Sequence, residues 1–127
     1  MKALTDTKVL AEKSKANFCV ADSWATDADY DSAASRYYYS VLQSVMYYAV
    51  RKQCSELQKY ESHAPGYSIH GLMGSVAGQI SPHYRKTMLE LYQVRRQADY
   101  RSNHVSEDDL NDILDDAKEL MKAALAV

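Results

Sequence analysis

SAASRYYYSVLQSVMYYAV, residues 32–50, contains neither glycine nor proline and repeats its apolar side chains at a helical period. Ala34, Tyr38, Val41, Val45 and Tyr48 advance by steps of four, three, four and three, which keeps them on one side of an α-helix. Leu42, Met46 and Ala49 widen that stripe into an arc broad enough to touch several neighbours, as a central helix does. The opposite side carries Arg36, Ser40, Gln43 and Tyr47, a face that usually meets solvent and less commonly a polar partner or a second subunit. With no breaker before SHAPGYS (62–68), the helix is expected to run from about Ser32 to about Tyr60.

Working outward, ATDADYD (25–31) reads as a polar turn, with Asp31 and Ser32 as N-cap candidates for the central helix. A first helix is expected before it, from about Thr5 to Trp24. After the SHAPGYS loop, Ile69, Leu72, Met73, Val76 and Ile80 line one side of a short helix. Gly71, Gly74 and Gly78 make that helix weak alone, so it must lean on its neighbours. Pro82 suits the first turn of a fourth helix, 82–100, where its missing N–H costs little. Ser106 and Asp109 then form a near relative of the capping box at the head of a fifth helix. Acidic residues crowd its first turns, where the macrodipole favours them. Leu110, Ile113, Leu114, Ala117, Leu120, Met121 and Ala124 form its core face. The expected architecture is all-α: an antiparallel up-and-down helical bundle of four main helices plus one short helix, in one domain over residues 1–127.

Composition agrees with a folded chain of this size. The 127 residues are 46% hydrophobic and 25% charged, which argues against disorder. The 4 glycines and 2 prolines all fall between residues 65 and 82, leaving long uninterrupted stretches on either side. There are 11 tyrosines against one Phe and one Trp, an excess that suits half-buried seams, subunit interfaces or polar clefts. Net charge is −2, so the molecule as a whole is no generic polyanion binder. The charge is unevenly spread, however: Arg85, Lys86, Arg95, Arg96 and Arg101 precede a strongly acidic segment from Glu107 to Glu119.

Several function classes find no support. Cys19 and Cys54 are isolated, with no CxxC, and neither has a neighbouring His in sequence. His63, His70 and His83 fit no familiar metal-ligand spacing, so no metal and no cofactor are expected. There is no P-loop and no GxGxxG at a strand–helix turn. The N-terminal residues lack an apolar leader segment, and no apolar run approaches membrane-spanning length. The expectation is a reduced, cytoplasmic protein without a membrane partner.

One residue breaks the pattern. The apolar stripe of the fourth helix is Tyr84, Met88, Leu91, position 95 and Ala98, and position 95 is arginine. A guanidinium in mid-stripe is costly to bury without partners. Arg95 must therefore pair with Asp99 one turn on, face a second subunit, or line a wet cleft. Arg96 and Tyr100 lie four apart on the adjacent flank, and Arg101 and His104 follow. Arginine's planar fork suits phosphate, so this segment is the best candidate site in the chain.

Four pieces of the chain resemble the HEPN (higher eukaryotes and prokaryotes nucleotide-binding) family. They are the 32–50 stretch, SIHGLMGSV (68–76), LYQVRRQADY (91–100) and VSEDDLNDILDDAKELMKAAL (105–125). Their order and spacing cover the chain from about residue 8 to 124, in the variant with an Arg-x-x-Ala-Asp-Tyr helix. The resemblance implies a homodimer with a composite cleft at its interface. It also implies RNA or nucleotide binding, in a toxin–antitoxin, defence or nucleotidyltransferase-linked system with a possible nucleotidyltransferase partner. Many members are metal-independent ribonucleases in which an arginine stabilises the reacting phosphate and a histidine four to six residues on assists.

Mapped onto this chain, Arg95 takes the place of the motif arginine and Tyr100 stands where the histidine belongs. Tyrosine is a poor general base at neutral pH. His104 lies beyond the usual spacing. The resemblance thus implies phosphate or RNA contacts from Arg95, Arg96, Arg101 and Arg36, a structural partner in Asp99, and a tentative catalytic set of Arg95, Tyr100 and His104. The leading expectation is a binding module; an active ribonuclease and a purely structural interaction bundle are the alternatives.

Overall fold

The Asp6 side chain accepts a hydrogen bond from the Val9 amide and starts α1 (Thr7–Thr26). Asp29 does the same for Ser32 at the head of α2 (Tyr30–Arg51). The N-cap of α2 is therefore Asp29, two residues before the earlier of the expected candidates. Four further helices follow: α3 (Glu56–Glu61), α4 (Ile69–Ile80), α5 (Pro82–Tyr100) and α6 (Glu107–Leu125). This computed structural model describes residues 6–62, 66, 68–100 and 103–127, and its regular elements are all helical. Among the described residues no helix is long and apolar enough to cross a membrane.

Cross-helix contacts fix the topology. Ser14 meets Ser40 while Asp22 meets Tyr37, so α1 runs antiparallel to α2. Ser35 meets Asp99 while Tyr39 meets Arg95, so α2 runs antiparallel to α5. Tyr30 meets Glu107 while Tyr47 meets the Val127 carbonyl, so α6 runs parallel to α2. The result is an up-down-up-down bundle of α1, α2, α5 and α6, with α3 and α4 inserted between its second and third members. The core sits on the expected stripes, with Ala34, Tyr38, Val41 and Val45 of α2 meeting Leu72, Met73 and Val76 of α4, Met88 and Leu91 of α5, and Leu110, Ala117 and Leu120 of α6. Ser106 and Asp109 complete the capping box of α6.

Two expectations are corrected. The central helix does not reach Tyr60. It ends at Arg51 because Gln53 takes a left-handed conformation (φ 53) and turns the chain. The Cys54 amide donates to the Ala49 carbonyl and the Gln53 amide to the Val50 carbonyl, the paired bonds of a Schellman stop. The chain then forms α3, anchored by the buried Glu56 carboxylate, whose Oε2 accepts from Ser75 Oγ (2.7 Å) and Gln79 Nε2 (2.8 Å) of α4. The bundle therefore has two short helices rather than one.

The polar face of α2 is not a solvent face. It is the seam with α1. Ser14 Oγ donates to the Ser40 carbonyl (2.7 Å) and Ser40 Oγ donates to the Ser14 carbonyl (2.6 Å), both residues fully buried. Small hydroxyl side chains let the two backbones approach, and each hydroxyl is satisfied by the other helix. Further along, Arg36 Nη1 donates to Asn17 Oδ1 (2.9 Å) and Asn17 Nδ2 to Gln43 Oε1 (2.7 Å).

Candidate functional site

α2 and α5 lie side by side, and α4 crosses one end of their seam. That crossing places four aromatic rings and a guanidinium together. Tyr38 and Tyr39 come from α2, His70 from the first turn of α4, and Tyr92 and Arg95 from α5. His70 follows Ser68, whose side chain accepts from the Gly71 amide and fixes the start of α4. The His70 and Tyr92 rings are stacked, with centroids 3.8 Å apart and planes 16° from parallel. His70 Nδ1 shares a hydrogen bond with the Tyr38 hydroxyl at 3.2 Å.

Arg95 finds two polar partners within the chain. Its Nη2 donates to the Tyr39 hydroxyl (3.0 Å), and its Nε lies 3.4 Å from Asp99 Oδ2. Asp99 is held from the other side by Ser35 Oγ at 3.2 Å. The guanidinium carbon sits 5.5 Å from the Tyr38 ring centroid and 5.2 Å from that of Tyr39, within cation–π range. The Arg95–Asp99 pair and the cleft are thus both present: Arg95 pairs with Asp99 and also lines a cavity of about 310 Å³ with Tyr38, Tyr39, His70 and Tyr92. Among the described residues its buried Nε makes no hydrogen bond, so the contact with Asp99 is an ion pair only.

This environment biases protonation. Burial, and then the Arg95 guanidinium, hold His70 below the ordinary histidine range. Burial pushes the Tyr38 phenol up to about 12, against a smaller opposing pull from Arg95. At neutral pH the site therefore presents a neutral imidazole, a neutral phenol and a fixed positive charge.

The remaining candidate residues are dispersed. Arg96 is exposed, with its guanidinium carbon 5.9 Å from the Tyr92 ring centroid and 5.8 Å from that of Tyr100. Tyr100 is thus a neighbour of Arg96 rather than of Arg95, and is 71% exposed. His104 turns to Asp31, Nδ1 to Oδ2 at 2.6 Å, and does not line the Arg95 cavity. Hydrogen bonding and attraction from Asp31 hold His104 above its ordinary range. Arg36 bonds to α1 and lines a separate shallow cleft that also contains Asp31 and Asp99. Arg101 and His63 lie outside the described residues. His83, Asp116 and Glu119 bring ligand-capable atoms within 4.8 Å of one another, but all three are exposed, and exposed acidic groups commonly gather this way without an ion.

The residues that sequence reasoning passed over are His70 and Tyr92, together with the role of Tyr38 and Tyr39 around Arg95. Tyr92 stands three positions before Arg95, a spacing that places both on one side of α5. His70 is 25 residues away from Arg95, and no local spacing could join them.

A model of the HEPN domain matches residues 7–127. The chain belongs to the HEPN family. No curated protein and no solved structure gives a significant match. The HEPN match takes in all six helices. Within this HEPN fold, LYQVRRQADY forms the second half of α5 and SIHGLMGSV spans the cap and first turns of α4. Those two segments, separate in sequence, meet at the His70–Tyr92 stack.

Proposed function

We propose that this HEPN chain is an RNA- or nucleotide-binding module in which Arg95 and Arg96 contact phosphate. The observation that carries the proposal is the Arg95 cavity itself. It combines a guanidinium braced by Asp99 and Tyr39 with a stacked aromatic pair, and its lining contains no carboxylate among the described residues. A braced guanidinium loses little further freedom on binding an anion, and aromatic faces accept bases of any sequence. Dimerisation with a composite cleft belongs to the same proposal, as does a toxin–antitoxin, defence or nucleotidyltransferase-linked setting with a nucleotidyltransferase as partner. The Arg-x-x-Ala-Asp-Tyr character of α5 supports it by providing Arg95 and Asp99 one turn apart.

A second reading, metal-independent RNA cleavage, is favoured by one observation. The cavity holding Arg95 contains a histidine, His70, supplied by another helix rather than by the Arg95 segment. A neutral imidazole beside a guanidinium could take the proton of a ribose 2′-hydroxyl as its oxygen attacks phosphorus. The arginine would stabilise the charge on the phosphate, and as the bond from phosphorus to the 5′-oxygen breaks, that oxygen would take a proton from water while the imidazolium later returns its own to solvent.

One comparison tests both: labelled single-stranded RNA incubated with wild type, Arg95→Ala and His70→Ala. The proposed function predicts binding by wild type that Arg95→Ala weakens at least tenfold. Cleavage to a 2′,3′-cyclic phosphate, lost in both variants, supports the second reading. RNA neither bound nor cleaved by wild type contradicts both and leaves a structural interaction bundle.

A further inference from the structure

The Arg95 cavity is not closed at its α4 side. His70 also lines a second, larger cavity of about 500 Å³ between α4 and α5, with Gly74, Arg85, Lys86 and Leu89 among its walls. The two hollows therefore share the imidazole as a common wall. Sequence spacing explains how α5 serves both. Arg85, Leu89, Tyr92 and Arg96 follow one another by four, three and four, so they form a single stripe along the helix. On this stripe Arg85 and Arg96 are exposed, Leu89 is 48% exposed and Tyr92 is half-buried.

The facing helix is cut back opposite this stripe. At Gly74 a Cβ would meet nothing within 4 Å, so the missing side chain leaves open space. At Gly78 a Cβ would lie 3.6 Å from the Arg85 Cβ, so the helices close together at that end of the groove. The charge pattern separates these two hollows from three others on the molecule. The latter are walled by Glu90, Asp109 and Asp112; by Asp31, Asp99 and Arg36; and by Asp29, Asp31 and His104. The two that meet at His70 have cations and, among the described residues, no carboxylate in their linings. Lys86 does reach Glu90 at 3.7 Å, in an exposed i,i+4 pair that solvent weakens. Arg85 has no ion-pair partner among the described residues.

From this we infer that the α4–α5 groove binds a single strand of RNA, with Arg85 and Lys86 forming a second phosphate subsite beyond the His70–Tyr92 stack. The inference rests on the proposed function and extends it from one phosphate to a strand. Arg85 and Arg96 are about 16 Å apart along the helix, room for about four or five nucleotides when the bases stay stacked at the duplex spacing of about 3.4 Å each. Cations at both ends neutralise phosphates, and the stacked rings and Leu89 between them offer faces for bases. An acidic peptide would leave the aromatic stack without use.

The test is affinity for oligouridylates of two, four, six and eight nucleotides, measured at several salt concentrations. The proteins are wild type, the Arg85→Ala/Lys86→Ala double variant and Gly74→Glu. A Cβ at the buried Gly74 meets nothing within 4 Å and Gly74 lines the groove, so glutamate there places a negative charge at its wall; the double variant, which alters only exposed side chains, carries the test if Gly74→Glu does not fold. Wild-type affinity is expected to climb with length up to about five nucleotides and then level off. Both variants should bind the dinucleotide as wild type does, yet lose about tenfold for the hexamer. In the double variant the salt dependence for the hexamer should fall by about 1.4 in log–log slope, two phosphates' worth for a single strand. Equal affinity for all lengths, or unchanged hexamer binding in both variants, overturns the inference while leaving the Arg95 site standing. Absence of dinucleotide and hexamer binding by wild type overturns both. If Gly74→Glu instead turns a dimer into a monomer and leaves hexamer affinity intact, the groove seats a second copy of the chain and the inference fails.

Discussion

Arg95 shows what a misfit in a sequence pattern can and cannot announce. Its place in an apolar stripe requires compensation, and Asp99 at one helical turn is readable as a partner from spacing alone. The tyrosine rings and the hydroxyl that complete its surroundings come from α2, more than fifty residues earlier, and no local pattern joins them to Arg95. The same holds for His70. Arg95 finds Asp99 and Tyr39 as partners within its own chain, although its buried Nε is left without a hydrogen bond, so the misfit by itself does not require a dimer. It does act on its neighbour. His70 is expected to titrate below 6.5 in the folded protein, its pKa depressed by burial and then by Arg95. Between that folded value and 6.5 the unfolded chain binds more protons, so stability falls as pH drops through this window. Removing the guanidinium in Arg95→Ala should raise the His70 pKa part of the way back, since burial persists. Aromatic-proton NMR across pH 4–8 measures it; an unchanged His70 pKa in the variant would sink this coupling.

At the scale of elements, boundaries separate what was legible from what was not. Helix α4 begins directly after the SHAPGYS loop, and α5 and α6 begin where Pro82 and Ser106 announce them, because loop, proline and capping chemistry are local. The stop after Arg51 carries no glycine to announce it. Gln53 occupies the left-handed position of a Schellman turn that glycine fills more cheaply, and the expectation of one continuous helix failed there. Gln53→Gly should therefore stabilise the fold by about 0.5–1 kcal/mol, the left-handed strain relieved less glycine's added chain entropy. Chemical denaturation checks this, and a loss of stability would contradict the account of the turn. The polar face of α2 misled for a related reason: buried serines look like surface serines until the partner helix is known.

The α5–α6 connection offers a second check. Asp31 accepts from the Val105 amide at 2.8 Å as well as from His104, fastening that connection to the head of α2. Burial tends to raise the Asp31 pKa, but the bonds from His104 and Val105 outweigh it and leave the carboxyl below 3.8. His104 moves the other way, above 6.5. The His104 share of stability is complete below 6.5 and fades as pH rises through its folded pKa; the Asp31 share is complete above 3.8 and fades as pH falls through its own. The pair thus helps most between those limits. Asp31→Asn should return His104 towards 6.5, a change visible in the same titration.

At the scale of the molecule, the all-α bundle was legible because amphipathic stripes and breaker placement report which faces must be buried. The site was only partly legible, since it is assembled where α2, α4 and α5 meet. The tyrosine excess is largely absorbed by packing: Tyr37, Tyr38 and Tyr84 are buried, and Tyr30, Tyr47, Tyr48, Tyr60 and Tyr92 half-buried. Pairing of two copies therefore stands as a proposal drawn from the HEPN relationship, and light scattering at micromolar concentration is expected to give twice the chain's 14.4 kDa. The central claim is that nucleic acid meets this protein at the Arg95 cavity and not at the exposed histidine that follows α5. The chain has 4 histidines, few enough to follow individually. Their ring signals, assigned by single substitutions and recorded while a hexauridylate is titrated in, test that claim most directly. The account predicts that His70 shifts and saturates in wild type, is unmoved in Arg95→Ala, and that His104 keeps its position and its raised pKa throughout. Movement of His104 with His70 silent would contradict it.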